Sequence, residues 1–327
     1  MNFKRISVLV WLTLGFILLF SIIKNTGPST IFAAFVKAQW IWLLPYLLTS
    51  FFIVLCLVTR WYLILFSLGK RIGFIKLFFI YTSGFSIAYL SPVPITGGEG
   101  AKAFLLNKNN IEYRKGLTSV LIDKSIEATM NVIFSIIGLI FLILHLALPH
   151  NTILTITLGT IIAIMALAFF YYRNLTEKPL LMPAFRTLRF INSRFVYRHE
   201  YSVREIEKRI SFFFRKNRLV FILALTVSFT AWIFMFIEYK LLLLTFGYNA
   251  PISILFLVIA VVAIVYIIPI PAALGALEGG QVTITRMTYM NSADAVAFST
   301  VLRSRDLIIT FTGLIYLFNY GMNFMKK

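Results

Sequence analysis

Apolar runs recur along the chain at 6–23, 40–68, 72–90, 119–147, 152–172, 219–246, 251–268 and 295–323. Each approaches or exceeds the roughly 20 residues that cross a bilayer as a helix. The breaks Gly69-Lys70-Arg71, Pro149-His150-Asn151 and Gly247-Tyr248-Asn249-Ala250-Pro251 carry turn or helix-start chemistry. Two further breaks differ in kind: SPVPITGGEG at 91–100 and IPIPAALGALEGG at 268–280 have apolar sequence on both sides. They are predicted to lie at membrane depth. The first run follows Lys4 and Arg5, as a signal peptide's would, but passes into Lys24-Asn25-Thr26-Gly27-Pro28 without a small-residue cleavage site. It is predicted to be a retained span. The expected fold is an all-α integral membrane protein with about six full transmembrane helices and two re-entrant helical hairpins.

The two unusual breaks belong to a repeat. Pro92, Glu99, Gly100, Lys124 and Glu127 recur as Pro271, Glu278, Gly279, Arg303 and Asp306, at one offset of 179 residues (271 − 92 = 306 − 127). The hairpins are expected to break at Pro92, Pro94, Gly97, Gly98 and Gly100, and at Pro269, Pro271, Gly275, Gly279 and Gly280. Duplicated broken helices point to a transporter's binding site. If the hairpins enter from opposite faces, the basic clusters at 4–5, 70–76, 108–115, 173–218 and 326–327 share one face. By the positive-inside rule that face is cytoplasmic, as are both termini. The repeats, at about 72–147 and 251–323, then form an inverted-topology pair within one polytopic domain, 1–327, of the cell membrane. Reading 72–90 and 251–268 as full spans leaves the inversion unchanged.

Composition narrows the class. Sixty per cent of the 327 residues are hydrophobic and 13% charged, against about a quarter charged in a soluble domain. The longest polar stretch, 173–218, is too short for a soluble enzyme domain. It holds 12 of the 31 Lys and Arg with four acids, so the net charge of +19 is assigned to an anionic membrane surface and not to nucleic acid. Ile206, Ile210 and Phe213 or Phe214 recur there at helical spacing. This predicts an amphipathic surface helix covering the cytoplasmic ends of the bundle, with a specific lipid site as the second reading. Cys56 is the one cysteine, and His145, His150 and His199 are scattered. Neither a disulfide framework nor a metal site is expected, and the absence of a Walker-type loop or Ser/His/Asp order leaves no cofactor and no enzyme expected.

Charges inside a bilayer are costly and mark substrate or ion paths. The candidate headgroup-binding bases are Lys102, Lys124, Arg303 and Arg305; the candidate transport, proton-coupling or ion-pair acids are Glu99, Asp123, Glu127, Glu278 and Asp306. Lys124 and Glu127 stand three apart, as do Arg303 and Asp306, so each pair is expected to neutralise itself across one helix face. Pairs of this kind also suit a purely structural pin. The arginine fork suits a phosphate, and the glycine-rich segments add backbone amides near two helix starts. Glu238 and Lys240 have no repeat partner and are expected to snorkel or to serve structure.

SPVPITGGEGAKAFLL, DKSIEATMNVIF and IPIPAALGALEGG together resemble the flippase-like membrane domain of lysylphosphatidylglycerol synthases over roughly 6–323. Relatives follow the first motif with arginine and open the next span with a Glu-Arg pair. Lys102 and Asp123-Lys124 stand at those positions here, keeping charge without the guanidinium. The resemblance implies a stand-alone member that handles a lipid with a phosphate-bearing headgroup and moves it between leaflets. The aminoacyl-transferring domain is missing from this sequence, so that activity is not carried over. Expected partners are membrane lipids (an anionic or zwitterionic phospholipid or a polyprenyl phosphate), with a homodimer or a synthase as protein partner. The competing readings are a membrane transferase using Glu99 or Asp123 as base, a non-transporting accessory subunit, and a small-anion carrier.

Overall fold

The computed structural model describes residues 3–91, 94–145, 150–187, 193–266, 270–285 and 290–325. Helices α1 (Phe3–Thr26) and α2 (Pro28–Lys37) meet at a 78° bend. Gly27 supplies the left-handed φ of 89° and Pro28, lacking an N–H, starts the second helix. The first run, 6–23, lies within α1, and the bend follows it. Then follow α3 (Leu43–Ser67), α4 (Phe74–Leu90), α5 (Pro94–Asn107), α6 (Tyr113–His145) and α7 (His150–Leu175). After them come α8 (Leu181–Thr187), α9 (Ser193–Lys216), α10 (Arg218–Thr245), α11 (Ile252–Val265), α12 (Ala276–Thr283) and α13 (Ser292–Met325). Among the described residues there is no strand.

Length separates two kinds of helix. Trp40–Ser67, Tyr113–Phe141, Ile153–Leu175 and Arg218–Thr245 are each long and apolar enough to cross a membrane, and the bent pair makes a fifth. The 34-residue α13 is longer still but carries Arg303, Arg305 and Asp306 near its middle. By contrast α4 and α11 have 17 and 14 residues. At 1.5 Å per residue they reach about 26 and 21 Å, short of the roughly 30 Å hydrocarbon core. They are followed by the short helices α5 and α12, which pack back against α4 and α11.

The centre of the bundle is the α3–α10 pair. Ser50 of α3 donates to Glu238 of α10, and Arg60 of α3 donates to Ser228 of α10 at 3.2 Å. The two helices therefore run antiparallel, with ten residues between the contacts on each. On one side Val58, Trp61, Leu65, Leu77, Ile80 and Leu106 close α3, α4 and α5 together. On the other Tyr239, Leu242, Val258, Leu277, Phe298 and Leu302 close α10 to α13. A third cluster brings Ile206, Ile210, Phe213 and Phe214 of α9 onto Ile122 and Ile126 of α6 and Ile64 of α3. The amphipathic helix and its expected stripe are both present.

Each long helix also crosses a short helix of the opposite repeat at a glycine. A Cβ at Gly138 of α6 would lie 2.8 Å from the Phe256 ring of α11, and one at Gly313 of α13 would overlap Ser86 Oγ and Thr82 O of α4. The second crossing is bonded as well, Ser83 donating to Gly313 O at 3.1 Å and Ser86 to Thr310 O at 2.8 Å. Interhelical bonds of this kind average about 0.6 kcal/mol in bilayers. Close approach therefore matters as much as the bonds themselves. In α7, Ile161, Ile162, Met165 and Phe169 are all exposed, an apolar surface suited to lipid.

Candidate functional site

The first charge cluster is built on α6, which projects Asp123, Lys124 and Glu127 toward α3 and α5. Arg60 forks onto Asp123, with Nε–Oδ1 at 2.6 Å and Nη2–Oδ2 at 3.1 Å, and reaches Glu127 at 3.3 Å. Lys124 Nζ bridges Glu127 at 3.0 Å and Glu99 of α5 at 3.2 Å. The expected Lys124–Glu127 pair is therefore present within a larger network. Arg60 is the residue that sequence reasoning passed over. A lone arginine in the middle of an otherwise apolar 25-residue helix was itself the signal.

The second cluster is built on α13. Arg303 grips Glu278 of α12 with both arms of its fork, at 2.7 and 2.8 Å, and donates to Ala273 O at 3.1 Å. Arg305 bonds its neighbour Asp306 at 2.6 and 2.9 Å and Glu238 of α10 at 2.7 Å. Tyr266 closes the second oxygen of Asp306. The expected pairing of Arg303 with Asp306 is corrected. Arg303 turns to the hairpin carboxylate and Asp306 takes Arg305, because the buried Glu278 needs a cation more than Asp306 does once Tyr266 and Arg305 have satisfied it. Of the two readings of Glu238, the structural one fits, since it is a buried member of the cluster, while Lys240 bonds Asn249 and Ala250 O near the helix end.

One geometric element is shared by both copies. The carboxylate of the short helix pairs with the repeat-matched base of the following long helix, Glu99 with Lys124 and Glu278 with Arg303. Their partners beyond that differ in sign: α3 sends a base, Arg60, into the first cluster, and α10 sends an acid, Glu238, into the second.

Of the residues expected to break the hairpins, Pro92 and Pro269 lie outside the described residues. Pro94 opens α5, Pro271 is buried in a single 3₁₀ turn, and Gly275 precedes α12 with φ 72°. Gly97, Gly98 and Gly100, and likewise Gly279 and Gly280, are corrected: they sit inside α5 and α12. Gly98 and Gly280 serve close packing, whereas a Cβ at Gly100 would meet nothing within 4 Å. A Cβ at Gly98 would lie 3.0 Å from Ala88 Cβ and overlap Gly84 O, so α5 can rest on α4 only without one.

A cavity of about 690 Å³ lies between the clusters, with Lys124 and Glu127 on one wall and Glu238, Arg305 and Asp306 on another. Phe134, Trp232 and Phe256 contribute apolar wall. Lys124 and Glu127 are the open members, 39% and 35% exposed, against 17% for Arg305 and 3% for Asp306. Glu238 Oε2 is buried with no hydrogen-bond partner among the described residues. The remaining candidates, Lys102, Arg303, Glu99, Asp123 and Glu278, are not among the residues lining it. Lys102 is buried, its ammonium 3.9 Å from the Tyr81 ring centroid and 5.5 Å from that of Trp61, an arrangement that stabilises a cation through the ring faces.

Comparison with known proteins gives a concordant result. Residues 6–313 match the model of the lysylphosphatidylglycerol synthase TM region. A UPF0104 membrane protein of Methanothermobacter thermautotrophicus is 22% identical over 280 residues, covering 83% of this chain and 82% of that protein. No solved structure matches. With apolar helices long enough to span and a family match over nearly its whole length, the chain is a multi-pass membrane protein and belongs to the lysylphosphatidylglycerol synthase transmembrane family.

Proposed function

We propose that this protein moves a lipid with a phosphate-bearing headgroup between the leaflets of the cell membrane, through the cavity between its two charge clusters. The observation that carries this reading is the cavity itself, which sets cations from both repeats in one space with apolar walls for a chain. In this reading the phosphate takes Lys124 and Arg305 as partners. The lining sets two bases against three carboxylates, so an arriving anion must displace one of them. Glu127 is the most open of the three and is the one that yields, by swinging aside. The unpartnered Glu238 Oε2 then accepts from a headgroup hydroxyl or amine, relieving a buried acceptor that otherwise costs about 1–3 kcal/mol.

The same reading makes the repeats an inverted pair, with α4–α5 and α11–α12 re-entering from opposite faces and both termini cytoplasmic. Three features support it: the antiparallel α3–α10 pair with its reciprocal serine bonds, the matched glycine crossings, and the matched Glu99–Lys124 and Glu278–Arg303 pairs. Rocking of one repeat against the other would alternate access to the site.

The test is reconstitution of the purified protein into phosphatidylcholine vesicles with headgroup-labelled phosphatidylglycerol. Transport predicts that inner-leaflet label becomes accessible to an impermeant quencher while the lipid stays chemically unchanged. A new covalent lipid product without leaflet exchange would establish the transferase instead. Inert protein with unchanged lipid would leave an accessory role or a small-anion carrier.

A further inference from the structure

Three cavities adjoin one another from the α8–α9 region inward. A crevice of about 630 Å³ between α8 and α9 is lined by Arg186, Arg204, Lys208, Arg215 and Lys216, with Glu177 and Glu207 as its acids. Five bases face two carboxylates. Both acids are already engaged: Glu177 pairs with Arg215, and Glu207 accepts from the backbone amides of Leu180 and Leu181. Glu200 holds Arg186 and Arg204 on the outer side. The crevice thus keeps an excess of positive charge, to which the exposed Lys208 and Lys216 contribute.

Glu207 also lines a second cavity, an apolar groove of about 470 Å³ between α6 and α7. Its walls are Leu121, Ala128 and Val132 from α6, and Ala163, Leu167 and Phe170 from α7. Ala128, Ala163 and Ala166 leave room between the larger side chains of both helices. At its inner side the groove is lined by Lys124, the same residue that lines the central cavity. Positive crevice, apolar groove and charged cavity therefore follow in sequence, joined at Glu207 and at Lys124.

We propose that the α8–α9 crevice binds the headgroup of an anionic phospholipid whose acyl chain lies in the α6–α7 groove, a loading site from which the lipid reaches Lys124. This rests on the transport reading and adds to it a second site, a headgroup charge and a route. Charge complementarity selects the headgroup, and continuity with the groove selects a lipid over a soluble phosphate. Exposed Tyr197, Tyr201 and Phe212 on α9 suit the headgroup depth such a site requires.

The experiment uses the full chain in phosphatidylcholine vesicles with phosphatidylglycerol bearing a photoreactive group in its acyl chain, and maps the labelled peptides by mass spectrometry. Labelling is expected on α6 and α7 around Ala128, Ala163 and Leu167, and stronger than with the matching phosphatidylcholine probe. Lys208→Gln together with Lys216→Gln should lower it about tenfold, since each base near an anionic group counts for several-fold. Both side chains are exposed, so the fold is expected to survive, as a melting curve would verify. Ala166→Trp, which fills the groove, should remove the label from Ala163 and Leu167. Excess unlabelled phosphatidylglycerol should compete and glycerophosphate should not. Equal labelling by both probes, indifference to the lysine changes, or displacement by glycerophosphate would each overturn the site. No step of this assay requires translocation. Selective labelling without leaflet exchange would leave the site standing and refute transport; leaflet exchange with unselective labelling would do the reverse.

Discussion

Arg60 shows how the buried charges are held. Its fork meets two carboxylates of α6 and one serine of α10, so it ties three helices at a point where only 1% of the residue is exposed. Removing one partner of such a set leaves an uncompensated buried charge, which costs about 3–5 kcal/mol, whereas removing the set together is often near neutral. Arg60→Met should therefore lower unfolding stability in detergent by about that amount. Arg60→Met combined with Asp123→Leu should recover most of it, because Ser228 keeps its bond to Ala224 O and Glu127 keeps Lys124. A double variant as unstable as the single one would show that the arginine acts through packing alone. The residues of this cluster were only partly legible in the sequence. Lys124 and Glu127 announced themselves through the repeat, but Arg60 and Glu238 have no charged counterpart at the offset and so escape a search for matching charges. Lys102 was read as a ligand for phosphate and is found against two aromatic rings, a setting that spacing along the chain does not reveal.

At the level of helices, the hairpins were legible because proline stops a helix wherever it sits past the first turn. Their glycines were not, since a glycine that permits a turn and one that permits close packing look alike in sequence. Gly313 offers the sharper test, because α13 crosses α4 there with backbone nearly in contact. Gly313→Val should destabilise by about 1–3 kcal/mol through overpacking, measured by thermal unfolding, while Gly159→Val, at an open position of α7, should change little. The α9 helix is held differently. Glu205 accepts from Arg209 of its own helix and from Arg114 of α6, and these bonds hold its carboxyl below the usual carboxylate range. A depressed folded value means that the clamp contributes fully above the ordinary carboxylate pKa and is lost as pH falls through the lower one. Amide protection along α9, corrected for intrinsic exchange, should fall in that acid window, and Glu205→Gln should make it low at every pH. Protection that is indifferent to both would place the docking of α9 wholly on its Ile206, Ile210 and Phe213 stripe.

Across the whole molecule, the repeats touch where α13 crosses α4 and α6 crosses α11, the antiparallel α3–α10 pair runs through the centre, and the cavity is lined by charges of both clusters. Apolar runs and an offset of 179 pointed to a repeat. They did not foretell the antiparallel seam or its reciprocal serines, which depend on which faces pack once both copies are folded. They also left open which of nine candidate charges share a space; four of them, Lys124, Glu127, Arg305 and Asp306, line the cavity, joined by Glu238. The most direct measurement is the rate of leaflet exchange of headgroup-labelled phosphatidylglycerol in reconstituted vesicles, for the wild-type chain, Lys124→Gln and Arg305→Gln. Each change removes a charge-assisted contact of about 1.5–3 kcal/mol. The account predicts exchange by the wild type and a fall of about tenfold or more in either variant, with melting curves showing both folded. Exchange in folded variants as fast as in the wild type would contradict it, since the lipid would then be crossing somewhere other than between the two clusters.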